Sequence, residues 1–245
     1  MKTPPATQQS KSSWKSAGRY MLRFQSYFGL VGILLLSAAL SPVRHDNNIF
    51  LNPENLLNIA RFASENGIIA IGMTLVIIVG GIDLSVGALL ALSAVGAAKF
   101  LMHYGWGTAS TIAVILCMGA FIGTVNGVIV TKVKIQSFIV TLATLSVARG
   151  IASLWSGGYA IPLAFGDGAG LGPQSFKDMF AGSVDLPGLE IPVQIFYFFG
   201  VGLLVAFVLR RTGFGRHIFA VGGNETAARL SGVAVHRTKI IVFAL

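Results

Sequence analysis

Gly80-Gly81-Ile82-Asp83-Leu84-Ser85-Val86-Gly87 sets a carboxylate and a hydroxyl between two long apolar runs. A lone charge at bilayer depth costs at least about 2–3 kcal/mol, so Asp83 must be met by backbone donors, a partner side chain or a watered path. The paired glycines break a helix there, and the break is too short for an ordinary solvated loop. A broken or re-entrant element packed inside protein is therefore expected.

The apolar context extends along the whole chain. Of 245 residues, 54% are hydrophobic and 11% charged, against roughly 25% charged in soluble domains. Mean hydropathy is +0.75. Stretches of about 20 apolar residues recur, each long enough to cross a hydrocarbon core of about 30 Å. The expected fold is an all-α polytopic membrane protein. Spans are predicted at about 26–43, 64–80, 83–102, 109–130, 136–156 and 192–210, and a seventh apolar run begins near Ile240. Residues 45–62 predict an interfacial helix starting near Asn52-Pro53, while residues 157–190 read as an outer loop rich in Gly, Pro and Asp. Residues 1–25 form a polar leader. Cleavage of a signal peptide is disfavoured, because that leader is long and later spans hold the chain in the membrane.

A formal charge of +9 would point to nucleic acid in a soluble protein, but topology accounts for it here. With the amino terminus in the cytoplasm, thirteen of the 18 Lys and Arg residues fall on one side: five in the leader, Lys132 and Lys134, and six from Arg210 to Lys239. That is the positive-inside pattern. No nucleic-acid partner is expected. Cys117 is the single cysteine, so no intramolecular disulfide can form. His45, His103, His217 and His236 lack ligand spacing, and no nucleophile faces a base. The chain is read as non-catalytic, without metal or cofactor.

Two constellations are candidate sites. In the first, Gly80, Gly81, Asp83, Ser85 and Gly87 form the broken segment. Asp83 suits an N-cap of the third span, accepting from the amide of Ser85 or Val86, and the glycines suit close packing. The same element can line a polar route at mid-membrane, where unwound backbone contacts solute. Arg149 either pairs with Asp83 or snorkels to the outer interface. In the second constellation, Gly222, Gly223, Asn224, Glu225, Ala227, Ala228, Arg229 and Gly232 predict a short helix capped by Asn224 and ended by Gly232. A short helix flanked by cations suits docking to a protein or to anionic headgroups.

Ile71 to Ile77, Gly80 to Gly87, Asn126-Gly127, Phe138 to Thr144, Arg149-Gly150 and Phe214-Gly215-Arg216 through Gly232 together resemble the ribose, xylose and arabinose type of ABC transporter permease, from about Asn55 to Leu245. The resemblance implies an inner-membrane subunit, residues 26–245, that imports a monosaccharide. It would pair with a second permease, receive sugar from a periplasmic binding protein and be driven by a cytoplasmic ATPase. Glu225, Ala227 and Gly232 match the family's Glu-Ala-Ala coupling loop, with Thr226 where the first Ala stands. A branched-chain amino-acid permease and an ion-coupled secondary transporter are the alternatives. Family members continue through further spans, so the run from Ile240 to Leu245 reads as the start of a seventh span in an incomplete permease that would not transport alone.

Overall fold

The computed structural model describes residues 27–44, 47–166, 168, 170–187 and 189–245. The expected leader, its signal-peptide alternative and His45 lie outside the described residues. Two compact units are present, Met1–Ile59 and Ala60–Leu245.

In the first unit, helix α1 covers Tyr27–Leu40, and the strands β1 (Val43–Arg44) and β2 (Asn47–Asn48) pair antiparallel. The side chain of Asn48 donates to the carbonyl of Ala38 at 2.6 Å, tying the turn back to the helix end. Asn52 then opens helix α2, Pro53–Ile78. Its side-chain oxygen accepts from the amide of Glu54 at 3.0 Å, and Pro53 occupies the first helical position, where its missing N–H costs nothing.

One continuous helix therefore replaces the interfacial helix and the second span expected separately. No glycine or proline falls between Pro53 and Asn66, so nothing in that stretch interrupts the intrahelical ladder. Among the described residues, five helices are long and apolar enough to cross a membrane, not six. These are α2, α3 with its continuation (Val86–His103), α4 with its continuation (Thr108–Val133), α5 (Ser137–Ser156) and α7 (Val193–Arg211). The described part of the first expected span, α1, is shorter. Both α3 and α4 end in a π-helical turn, Lys99–His103 and Ile129–Val133.

The segment 157–190, expected as a loop, carries secondary structure of its own. It contains α6 (Gln174–Ala181) and a hairpin of β3 (Ser183–Leu186) with β4 (Leu189–Pro192). Gln194 and Tyr197 on α7 anchor α6 by donating to the carbonyls of Phe180 and Met179 at 2.6 and 2.8 Å. After α7 come α8 (Gly213–Gly223), α9 (Glu225–Leu230) and α10 (Val235–Ala244). Helix α10 begins five residues before the apolar run visible in the sequence.

Two apolar clusters hold the second unit. Ala88 and Leu92 on α3 meet Ala148 and Ala152 on α5, small residues that let helix backbones approach. The other cluster joins Leu75, Val76 and Val79 at the end of α2 to Ile218 and Val221 on α8, Ala228 on α9, and Val235, Val242 and Phe243 on α10. Helix α10 lies directly on α4. A Cβ on Gly123 would overlap the carbonyl oxygen of Phe243, and one on Gly127 would sit 2.8 Å from the Cα of Ile240.

Helix α2 ends in a Schellman turn. The amide of Gly81 donates to the carbonyl of Val76 at 2.8 Å and that of Gly80 to Ile77 at 3.0 Å, with Gly80 at φ +76°. An L side chain at that φ is strained, so Gly80→Ala is expected to cost about 1–2 kcal/mol, read as a lower midpoint in thermal unfolding from detergent.

Candidate functional site

From Gly81 to Ser85 the backbone is neither helix nor strand, so its polar groups need partners from elsewhere. Helix α5 supplies them from its first two turns. The amide of Ile82 donates to the Ser137 hydroxyl oxygen at 3.0 Å, and the amide of Leu84 donates to the Thr141 hydroxyl oxygen at 3.1 Å. Thr141 also approaches the carbonyls of Ser137 and Ile82, at 2.9 and 3.2 Å, and has no exposed surface. Irregular backbone is tolerated at membrane depth only when enclosed this way.

Asp83 turns inward. One carboxylate oxygen accepts from both the amide and the hydroxyl of Ser85, at 2.7 and 2.6 Å. Ser85, not Asp83, occupies the N-cap position of α3, so Asp83 acts two residues earlier as an Asx turn that fixes the entry to the helix. The network continues outward from there. The side-chain amide of Asn126 on α4 donates toward the Ser85 hydroxyl at 3.5 Å, and its oxygen accepts from the Thr144 hydroxyl on α5 at 2.6 Å. Asp83, Ser85 and Asn126 are all buried. Three helices thus meet on one chain of polar side chains.

This segment connects α2 to α3 and lies against the first two turns of α5. The expected pair with Arg149 is not formed. Asp83 is engaged by Ser85, Arg149 is exposed, and the ion pairs among the described residues both involve Glu225. Of the glycines, Gly81 is closely approached: a Cβ there would lie 2.9 Å from Val76 and 3.1 Å from the Phe243 ring. Gly87 faces open space and does not serve close packing.

The second constellation folds as the residues predict. Asn224 caps α9 by accepting from the amide of Ala227 at 2.9 Å, and Gly232 follows the helix at φ +83°. Gly222 has a different task, because a Cβ there would overlap the carbonyl oxygen of Ile78 at the end of α2. Ala228 is buried in the apolar cluster and cannot belong to an outward docking face. Leu230, the last residue of α9, is 85% exposed, which composition alone did not single out.

Glu225 accepts from Lys239 on α10 at 2.6 Å and from Arg229 at 3.0 Å. The hydrogen bond from Lys239 holds the Glu225 carboxyl below its usual range, with burial opposing and the charges of Lys239 and Arg229 assisting. A depressed value means the pair contributes fully above the ordinary glutamate range and is lost as pH falls through the lowered value. The distance between labels at Thr226 and His236 is thus expected to stay constant down to about pH 5 and to lengthen only in stronger acid.

Residues 55–245 match the family model described as "Branched-chain amino acid transport system / permease component". The chain is 40% identical over 228 residues to a ribose import permease protein of Haemophilus influenzae, covering 93% of this chain and 66% of that protein. It is 37% identical over 213 residues to an L-arabinose ABC transporter permease protein of Azospirillum brasilense, covering 86% and 58%. It is 32% identical over 275 residues to a xylose transport system permease protein of Haemophilus influenzae, covering 91% and 72%. No solved structure matches the chain. The chain belongs to the transport-system permease family that this model describes, and it is a polytopic helical membrane protein. It spans about two thirds of the length of the ribose permeases it matches.

Proposed function

We propose that this chain is the membrane-spanning part of an ATP-driven ABC importer for a monosaccharide of the ribose, arabinose and xylose class, in a bacterial inner membrane with its amino terminus in the cytoplasm. The observation that carries the reading is the identity of 40% over 93% of the chain to a ribose import permease, with arabinose and xylose permeases close behind. Only the family description mentions branched-chain amino acids.

In this reading Gly80, Gly81, Asp83, Ser85 and Gly87 border the translocation path. A buried carboxylate held by a serine at the junction of three helices supports that role, since a small change in helix angle would redistribute its hydrogen bonds. The exposed part of 222–232, with Glu225, Ala227, Arg229 and Leu230, docks a separate ATPase that performs the hydrolysis. A second permease subunit completes the path, and a periplasmic sugar-binding protein delivers cargo. The run of cations on α7, α8 and α10 supports a cytoplasmic face for the docking helix.

The test is purification from mild detergent through a tag on this chain. An ATPase subunit and a sugar-binding protein that associates in the presence of ribose, arabinose or xylose are the expected partners. Association driven by leucine or valine instead would move the assignment to amino acids, and transport driven by an ion gradient without nucleotide would end the ABC reading.

A further inference from the structure

The geometry points to Lys239 as a positioning residue that clamps the docking helix α9 to α10, so that motion imposed on α9 is delivered to the Gly81–Ser85 segment. This inference rests on the reading of 222–232 as the ATPase-docking surface and adds the route by which docking reaches the polar segment.

The route is a chain of contacts too close to slip. Lys239 is one end of the 2.6 Å ion pair with Glu225 and is itself largely sheltered, its side chain 17% exposed against 41% for Glu225. One turn farther along α10, Phe243 touches two elements at once. Its ring faces Gly81, and its backbone lies on Gly123 of α4, where no side chain separates the helices. Ile240 also packs closely on Gly127, whose added Cβ would lie 2.8 Å from the Ile240 Cα. Asn126, which reaches Ser85, sits on α4 between those two glycines. A shift of α10 must therefore carry α4 and the Asn126 amide with it, because backbone-on-backbone packing has no side chain to absorb the movement. A second contact runs in parallel through Gly222 of α8, against the Ile78 carbonyl within the Schellman turn.

Helix α9 is six residues long and would not hold its place by propensity alone. Ala228 in the apolar cluster fixes one point on it, and the Glu225–Lys239 pair fixes a second at its first turn. With one point the helix can pivot under load. With two it moves as one body with α10.

The experiment uses the assembled complex in lipid nanodiscs and follows hydrogen exchange at Ile82 and Leu84 with and without a non-hydrolysable ATP analogue, together with exchange across 225–230. In the wild type, the nucleotide changes protection at Ile82 and Leu84. In Lys239→Glu the ATPase still co-purifies, exchange across 225–230 rises about threefold or more, and the nucleotide response at Ile82 and Leu84 is lost. The conservative Lys239→Arg keeps the response. The reversed pair Glu225→Lys with Lys239→Glu restores it, which repair of stability unrelated to charge would not do.

A Lys239→Glu complex with an undiminished nucleotide response would overturn the clamp, as would a wild-type complex in which nucleotide leaves Ile82 and Leu84 unchanged. Failure of the wild type to retain any ATPase would instead remove the docking reading, and the clamp's role with it.

Discussion

Replacing Gly123 with leucine is expected to detach α10 from α4 and to leave little correctly folded protein. A Cβ at this position overlaps the carbonyl oxygen of Phe243, and the neighbouring atoms are backbone, which cannot turn aside as a side chain can. Overpacking a core costs about 1–3 kcal/mol even where side chains can adjust, so a backbone clash falls at or above the upper end. Gly119, one turn earlier on α4, provides the control. Nothing lies within 4 Å of its added Cβ, and Gly119→Leu should behave as wild type. The measurement is the thermal midpoint of the monodisperse fraction in detergent, and equal midpoints for the two variants would contradict the packing described.

In the importer proposed above, Thr141→Val should nearly abolish transport by the assembled complex while leaving the shape of α5 intact. The two side chains have almost the same volume, so the change tests the hydroxyl. Its loss removes the acceptor for the Leu84 amide and leaves the neighbouring Ile82 carbonyl with one contact fewer, in a fully buried position. An unsatisfied buried amide costs about 1–3 kcal/mol, a large fraction of the stability of a segment that has no ladder of its own. Thr141→Ser keeps the hydroxyl and should retain most of the uptake measured in proteoliposomes with the partner subunits. Similar loss in both variants would assign the effect to the methyl group and not to the hydrogen bond.

The break at Gly80-Gly81 was legible in the sequence because a pair of glycines after an apolar run is what a Schellman turn needs: one left-handed residue and one closely approached. Asn224 and Gly232 were legible for the same reason, since caps depend on residue types at fixed local offsets. The partners of the broken segment were not. Serine and threonine in an apolar helix ordinarily return their hydroxyl to the carbonyl four residues earlier, as Ser64, Thr74, Thr124 and Thr131 do here. Thr141 makes that bond too, to Ser137, and nothing local marks it, or Ser137 at the start of α5, for contact with an element more than fifty residues away. The Phe138 to Thr144 run stood out as a resemblance to a family and gave no hint of its hydrogen bonds.

Charge pairing shows the same limit. Asp83 and Arg149 both fall inside predicted spans, and pairing them, the alternative to a snorkelling Arg149, would have reduced the cost of burying both charges. The chain solves it locally instead, with the serine two residues on, so that Arg149 is left exposed. Glu225 finds its cation in Lys239, across the turn at Gly232, at a separation set by the angle between α9 and α10 and by no sequence period. The interfacial helix expected up to residue 62 and the span expected from residue 64 are one helix, since polar Asn58, Arg61, Ser64, Glu65 and Asn66 do not stop a helix.

The central claim is that Gly81–Ser85 is non-helical backbone whose amides at Ile82 and Leu84 are satisfied by hydroxyls of α5. Hydrogen exchange of the protein in lipid nanodiscs addresses it directly. Ile82 and Leu84 should exchange as slowly as amides inside α5, and Thr141→Val should release Leu84 selectively. Exchange of both amides at the rate of a hydrated loop in the wild type would contradict the account.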